Sequence, residues 1–341
     1  MRIKKYFILV LAFIVVTISL SGCSLLNNDR RVIRIAHGQS ATHPDHVGLL
    51  AFEKYVEDRL GDQYDIQIFP NELLGSSQKA IELVQTGALE YAIASTGNLE
   101  TFNDIYQIFS IPYLFDSIDV FYDTMNDDIL MNGIYESTEA SGFQAVAWLT
   151  AGTRNFYATV PIEKPEDLKG KKIRVQQSPT NVRMMELFNA AAAPMSFGEV
   201  YTAIQQRVID GAENNELALT NNKHGEVAKY YCYDQHQIVP DMLIANTKFL
   251  ADLSTEERDI FNEAAKECTR VEVEEWDKQV EEAVAMAKDM GVEFFYPDIQ
   301  PFKEMVLPLH LEILEDNPKL QPIYDRINNL AKQRAAANDG Q

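Results

Sequence analysis

Ser254-Thr-Glu-Glu-Arg-Asp-Ile-Phe-Asn-Glu-Ala-Ala-Lys-Glu-Cys-Thr-Arg270 opens a pattern that continues to Met290 without a glycine or proline. Ser254 followed by Glu257 is a capping box, in which the hydroxyl accepts an N–H of the first turn and the carboxylate reaches back to the serine N–H. At about 1.5 Å per residue such a helix spans roughly 55 Å, more than one lobe of this chain should be wide. It is expected to bridge two lobes. The length of 341 residues agrees, being more than a single core usually holds. Working outward, Arg31–Ala36 alternates as a strand, Asp65–Phe69 and Tyr91–Ser95 are strands, and Ser76–Thr86 reads as a helix stopped by Gly87. The rhythm repeats with Phe143–Leu149, Lys172–Val175, a helix after Pro179 and another through Glu199 to Arg207. This alternation predicts α/β layers around mostly parallel sheets, with a boundary near residue 151.

The N-terminus carries Arg2, Lys4 and Lys5 ahead of Tyr6–Leu20, 15 residues without a charge. At roughly 22 Å this segment is short for a membrane span and fits a secretory leader. Leu20-Ser-Gly-Cys23 resembles the lipobox of bacterial lipoproteins, which implies cleavage after residue 22 and lipidation of Cys23, with residues 23–30 as a tether. Without the three leader cations, 27 of the 30 Lys+Arg remain against 51 Asp+Glu. That acidity excludes nucleic acid and electrostatic docking on anionic lipid, so a lipid at Cys23 would hold the protein on the outer face of the cytoplasmic membrane. Cys232 and Cys268 sit in no framework spacing and read as buried free thiols, with pairing as the alternative.

Motifs for catalysis are missing. There is no Gly-x-Ser-x-Gly elbow, no phosphate-cradling glycine loop ending in Lys-Ser or Lys-Thr, and no His-Glu-x-x-His. His37 with His43-Pro-Asp-His46 lacks the further ligands of a metal shell and reads as loop and N-cap residues. Neither a metal nor a cofactor is expected. Two cations stand out, Arg154 in Gly152-Thr-Arg-Asn-Phe156 and Arg174 in Lys172-Ile-Arg-Val175. A guanidinium matches a carboxylate with two parallel hydrogen bonds and stays charged when buried, and open α/β sheets bind ligands at strand ends. Surface ion pairing is the plainer alternative for both.

Lys169-Gly-Lys-Lys-Ile-Arg-Val175, Pro194-Met-Ser-Phe-Gly-Glu-Val-Tyr201, Ala203-Ile-Gln-Gln206 and Asp210-Gly-Ala-Glu-Asn214 resemble the DctP-type solute-binding proteins of TRAP transporters. So do Phe69-Pro-Asn-Glu-Leu-Leu-Gly75, Ile111-Pro-Tyr-Leu-Phe115 and Pro165-Glu-Asp-Leu-Lys-Gly170. The resemblance implies a two-lobed, periplasmic-binding-protein-like α/β fold with residues 31–151 plus about 240–279 in one lobe and 152–239 plus about 280–335 in the other. It implies a small organic acid as ligand, delivered to a small and a large membrane subunit. Arg174 matches the family arginine that salt-bridges the ligand carboxylate, Arg154 a second cationic contact, Asn214 the amide on that carboxylate and Phe197 the aromatic against the ligand. Physical chemistry agrees, since a buried carboxylate is costly unless paired and hydrogen-bonded.

Asn215, Gln39 and Ser95, with Ser40 and Thr96 nearby, add neutral donors and acceptors suited to hydroxyls, although each also suits a turn or cap. Asp210–Asn215 and Val239-Pro-Asp-Met242 are similar to family receptors for sugar acids, so a uronate or aldonate is favoured over a C4-dicarboxylate or keto acid. Three other classes stay open: a ligand-sensing lipoprotein for a signalling receptor, an ABC-type receptor, and a surface-tethered sugar-acid enzyme working through Cys232 or Glu213.

Overall fold

The computed structural model describes residues 30–339. The leader, the lipidation site at Cys23 and all of the tether before Arg30 lie outside the described residues. Two sheets organise the rest. The first holds β1 (Arg31–Ala36), β2 (Tyr64–Phe69), β3 (Tyr91–Ser95), β4 (Phe143–Leu149) and β10 (Asp241–Asn246), in the order β2-β1-β3-β10-β4. The second holds β5 (Thr153–Ala158), β6 (Lys172–Val175), β7 (Ala191–Pro194), β8 (Gly211–Asn214), β9 (Tyr230–Ile238) and β11 (Glu293–Phe295), in the order β11-β9-β5-β8-β6-β7.

Both sheets are mostly parallel, as expected, and each carries one reversed strand. In the first sheet β10 runs antiparallel to both β3 and β4, and in the second β5 runs antiparallel to both β8 and β9. The physical reason lies in the crossings. Only Thr150, Ala151 and Gly152 separate β4 from β5, and only Val239 and Pro240 separate β9 from β10. β4 runs on into β5 and β9 runs back into β10, so the two crossing strands travel in opposite senses and pair antiparallel in both sheets. Since β4 pairs with β10 and β5 with β9, the two crossings form one ribbon through both lobes.

The long helix occupies Thr255–Asp289, about 52 Å at 1.5 Å per residue. Its capping box is present: Ser254 N donates to Glu257 Oε2 at 2.8 Å and Glu257 N to Ser254 Oγ at 3.2 Å. Its first half buries Phe261, Ala264, Ala265 and Cys268 against Leu49, Phe52 and Val56 of the helix Pro44–Leu60 and Ile33 and Ile35 of β1. Gly48 lets the two helices approach, because a Cβ there would stand 2.8 Å from the Cys268 carbonyl oxygen. Farther on, Trp276 packs with Ala151 and Leu217 at the β4–β5 crossing, and Ala287 joins Tyr157 and Tyr231 in the second lobe. The helix therefore bridges the lobes. The last helix, Gln321–Asp339, packs on the segment around Asp123 and Asp127, where Arg334 Nη1 pairs with Asp123 at 2.8 Å and Arg326 Nη2 with Asp127 at 2.6 Å. Cys232 and Cys268 are free and buried.

Candidate functional site

The carboxyl ends of β1 and β3 from the first lobe face β6, β8 and the start of β5 from the second, and a cavity lies between them. Arg174, Arg154, Asn214, Asn215, Phe197, Gln39 and Ser95 all line it. These seven residues thus reach one place, whereas Ser40 and Thr96 are not in its lining, and hydrogen bonding separates the seven into different roles.

Arg174 is the third residue of β6, which Val175 and Ile173 anchor in the core. Its Nε and one Nη2 hydrogen converge on a single acceptor, the Met195 carbonyl, at 3.2 and 3.0 Å. A guanidinium has five N–H donors, so three remain for other partners. Among the described residues no carboxylate comes within 4.0 Å of it, and its other close neighbour is the Phe197 ring, whose centroid is 5.5 Å from Cζ. Burial lowers its pKa, and neighbouring carboxylates offset this only in part. Arg174 is a buried cation that lacks an anion at contact distance.

Arg154 is different. Its Nη2 donates to Glu213 Oε1 at 2.9 Å and to the Glu213 carbonyl at 3.1 Å, its Nε to Glu213 Oε2, and its Nη1 to Asn214 Oδ1 at 3.2 Å. One N–H is left. Behind Glu213 stands His236, whose Nδ1 lies 2.7 Å from Asp234 Oδ2. Burial works against every charge in this chain. For Glu213 the Arg154 and His236 charges outweigh burial and hold the carboxyl down to about 2, while Asp234 and Glu213 push His236 up to about 9. Arg154 is thereby fixed as a structural cation with a single donor toward the cavity.

Asn214 Oδ1 accepts from Arg154 Nη1 and from Asn215 N at 2.9 Å, which fixes the orientation of its amide. Asn215 is spent on the backbone: Nδ2 donates to Ala151 O and Oδ1 accepts from Leu217 N, both at 3.0 Å. Ser95 Oγ accepts from Gln176 Nε2 at 2.8 Å, a hydrogen bond between the lobes. A second such bond joins Gly198 N to Glu72 Oε2 at 3.2 Å. The lobes are therefore closed on one another.

Sequence reasoning missed part of the lining: Asp45, Glu72, Asn98, Gln176 and Asp241. Asp45 was visible only as the middle of His43-Pro-Asp-His46, where His43 is the N-cap and its Nδ1 accepts from Asp45 N at 3.2 Å. Glu72 lay inside the quoted Phe69–Gly75 motif and Asp241 inside Val239–Met242, without a role for either. Among the described residues no group of His, Cys, Asp and Glu is placed to hold a metal.

The family model for bacterial extracellular solute-binding protein, family 7, named DctP, matches residues 35–317. The chain belongs to this family. A TRAP periplasmic solute-binding protein of Anaerococcus prevotii, solved with α/β-D-glucuronate bound, is 53% identical with a TM-score of 0.88, over 89% of this chain and 99% of that one. A TRAP solute-binding protein of Sulfitobacter with β-D-galacturonate bound is 30% identical with a TM-score of 0.85, over 88% and 100% of the two chains. The C4-dicarboxylate-binding protein DctP of Vibrio cholerae is 29% identical over 76% of this chain and 79% of its own length. Family members are solute-binding receptors. Burial pushes the Cys232 thiol well up, His224 Nδ1 lies 2.7 Å from Tyr157 Oη, and Glu213 is held by Arg154.

Proposed function

We propose that this DctP-family receptor captures a hexuronate outside the cytoplasmic membrane and presents it to the membrane subunits of a TRAP transporter. The carboxylate sits on the three open N–H donors of Arg174, with Asn214 Nδ2 on the same group and Phe197 against the sugar. The observation that carries this reading is the buried guanidinium of Arg174, which faces a cavity and has no carboxylate within 4.0 Å among the described residues. A carboxylate bound there meets a charge-assisted, bidentate partner in a site closed to water, where such contacts are strongest. Glucuronate and galacturonate in the two structurally similar relatives support a uronate in particular. Arg154 acts on the ligand through one donor and otherwise holds Asn214 in place.

Residues 1–22 form the leader of this reading, and Cys23 carries the lipid that retains the receptor at the membrane. Mass spectrometry of the protein extracted from membranes should show a chain that begins at Cys23 and carries added acyl mass. A chain that keeps residues 1–22, or begins at Cys23 without added mass, would remove the lipid from the proposal.

Isothermal titration of residues 24–341 tests the ligand. D-glucuronate and D-galacturonate should bind at submillimolar or tighter concentration, with succinate and pyruvate at least 100-fold weaker. Preferential binding of succinate or a keto acid would overturn the choice of ligand while keeping the receptor.

A further inference from the structure

Asp45 lines the cavity from the first turn of the helix Pro44–Leu60, and its side chain is fully buried. Neither carboxylate oxygen has a hydrogen-bond partner among the described residues. The nearest ring nitrogen, His43 Nδ1 at 3.3 Å from Oδ1, already accepts the Asp45 N–H. A buried carboxylate in this condition is costly and calls for an explanation, even with the favourable field of a helix N-terminus. Glu72 and Asp241 line the same side, and Glu72 Oε1 is also buried without a partner. The first lobe thus presents acceptors and negative charge, and the second presents Arg174 and Arg154.

Resting on the uronate reading above, we propose that Asp45 is the specificity-determining residue: it accepts hydrogen bonds from the ligand's hydroxyls and rejects acids with a second carboxylate at that end. A sugar acid whose carboxylate is on Arg174 brings only O–H donors to the first lobe, and two of these complete the hydrogen bonding of Asp45. An aldarate or C4-dicarboxylate brings a second carboxylate against Asp45, where like charges repel at low dielectric. Discrimination then comes from an attractive and a repulsive element together. Sites built around a ligand hydroxyl reject analogues lacking it strongly, because the buried partner is left unpaired.

The test compares D-glucuronate with D-glucarate, which carries a carboxylate at both ends, by titration of wild type, Asp45→Asn and Asp45→Ser. Wild type should prefer glucuronate by at least 100-fold. Each variant should lose at least 10-fold in glucuronate affinity and narrow the preference at least 10-fold, with an unligated melting midpoint at or above wild type because a buried charge has gone. Glucuronate affinity within about threefold of wild type in either folded variant, or a wild-type preference below about tenfold, overturns the role of Asp45 while the uronate receptor stands. Wild type that binds neither D-glucuronate nor D-galacturonate overturns the uronate reading and this proposal with it.

Discussion

Replacing Arg174 by Ala separates binding from folding in a way that few substitutions in this protein should. Three N–H donors of Arg174 are open, and its other two share one carbonyl oxygen at 3.0 and 3.2 Å. A bidentate pair to a ligand carboxylate contributes two charge-assisted hydrogen bonds, each about 1.5–3 kcal/mol. The variant should therefore lose about 3–6 kcal/mol of binding, a drop of roughly 10²- to 10⁴-fold in affinity for D-glucuronate. Its unligated stability should hold or rise, since the guanidinium is buried with no carboxylate within 4.0 Å among the described residues. Titration calorimetry gives the first quantity and a thermal melt without ligand the second. Affinity within about threefold of wild type would falsify the placement of the carboxylate. A collapse of unligated stability would show instead that Arg174 is part of the scaffold.

Arg154→Ala should behave in the opposite sense: it strands buried Glu213 without its principal partner, costing about 3–5 kcal/mol of unligated stability, and a melting midpoint unchanged within a degree would refute this. The same network sets a pH dependence. Glu213 is depressed from 4.5 to about 2, so its contribution is present above pH 4.5 and lost as pH falls toward 2; His236 is raised from 6.5 to about 9, so its contribution is full below 6.5 and lost as pH rises through 9. Denaturant unfolding should show about 1–3 kcal/mol lost between pH 6.5 and 9, abolished in His236→Gln, and stability that rises across this range would contradict the assignment. Gly198→Ala places a Cβ 2.7 Å from Glu72 Oε2 and displaces that carboxylate from Gly198 N. Folding should be unaffected while affinity falls about 3- to 10-fold, the value of one interlobe hydrogen bond; equal affinity would mean that the Glu72 contact does not stabilise closure.

The strands and the long helix were legible because their signals are local. Ile33 and Ile35 flank Arg34 in a β-branched run, and Ser254 and Glu257 cap their own helix. The reversal of β10 and β5 within otherwise parallel sheets was not, since it follows from crossings whose partners come from distant parts of the chain. The same distinction governs the site. Arg174 and Arg154 stand alike in short strands, and only the pairing of Arg154 with Glu213, 59 residues away, makes one a scaffold cation and leaves the other open. Asp45 was hidden by two histidines, because the turn that carries it faces the cavity only once the helix Pro44–Leu60 has packed on the long helix.

That long helix and the paired crossing strands also govern mechanics. A single loop between lobes would act as a swivel with many paths. Here an antiparallel ribbon and a continuous rod lie side by side across the gap, with Trp276 of the rod against Gly152 of the ribbon and Glu272 accepting from Thr150 N at 3.0 Å. Such a beam resists twist and yields in one plane, so the two walls of the cavity return to the same register each time they meet. Glu272 and Thr150 form a rivet in that beam, and a change there would alter the stiffness of the jaw without touching what it holds.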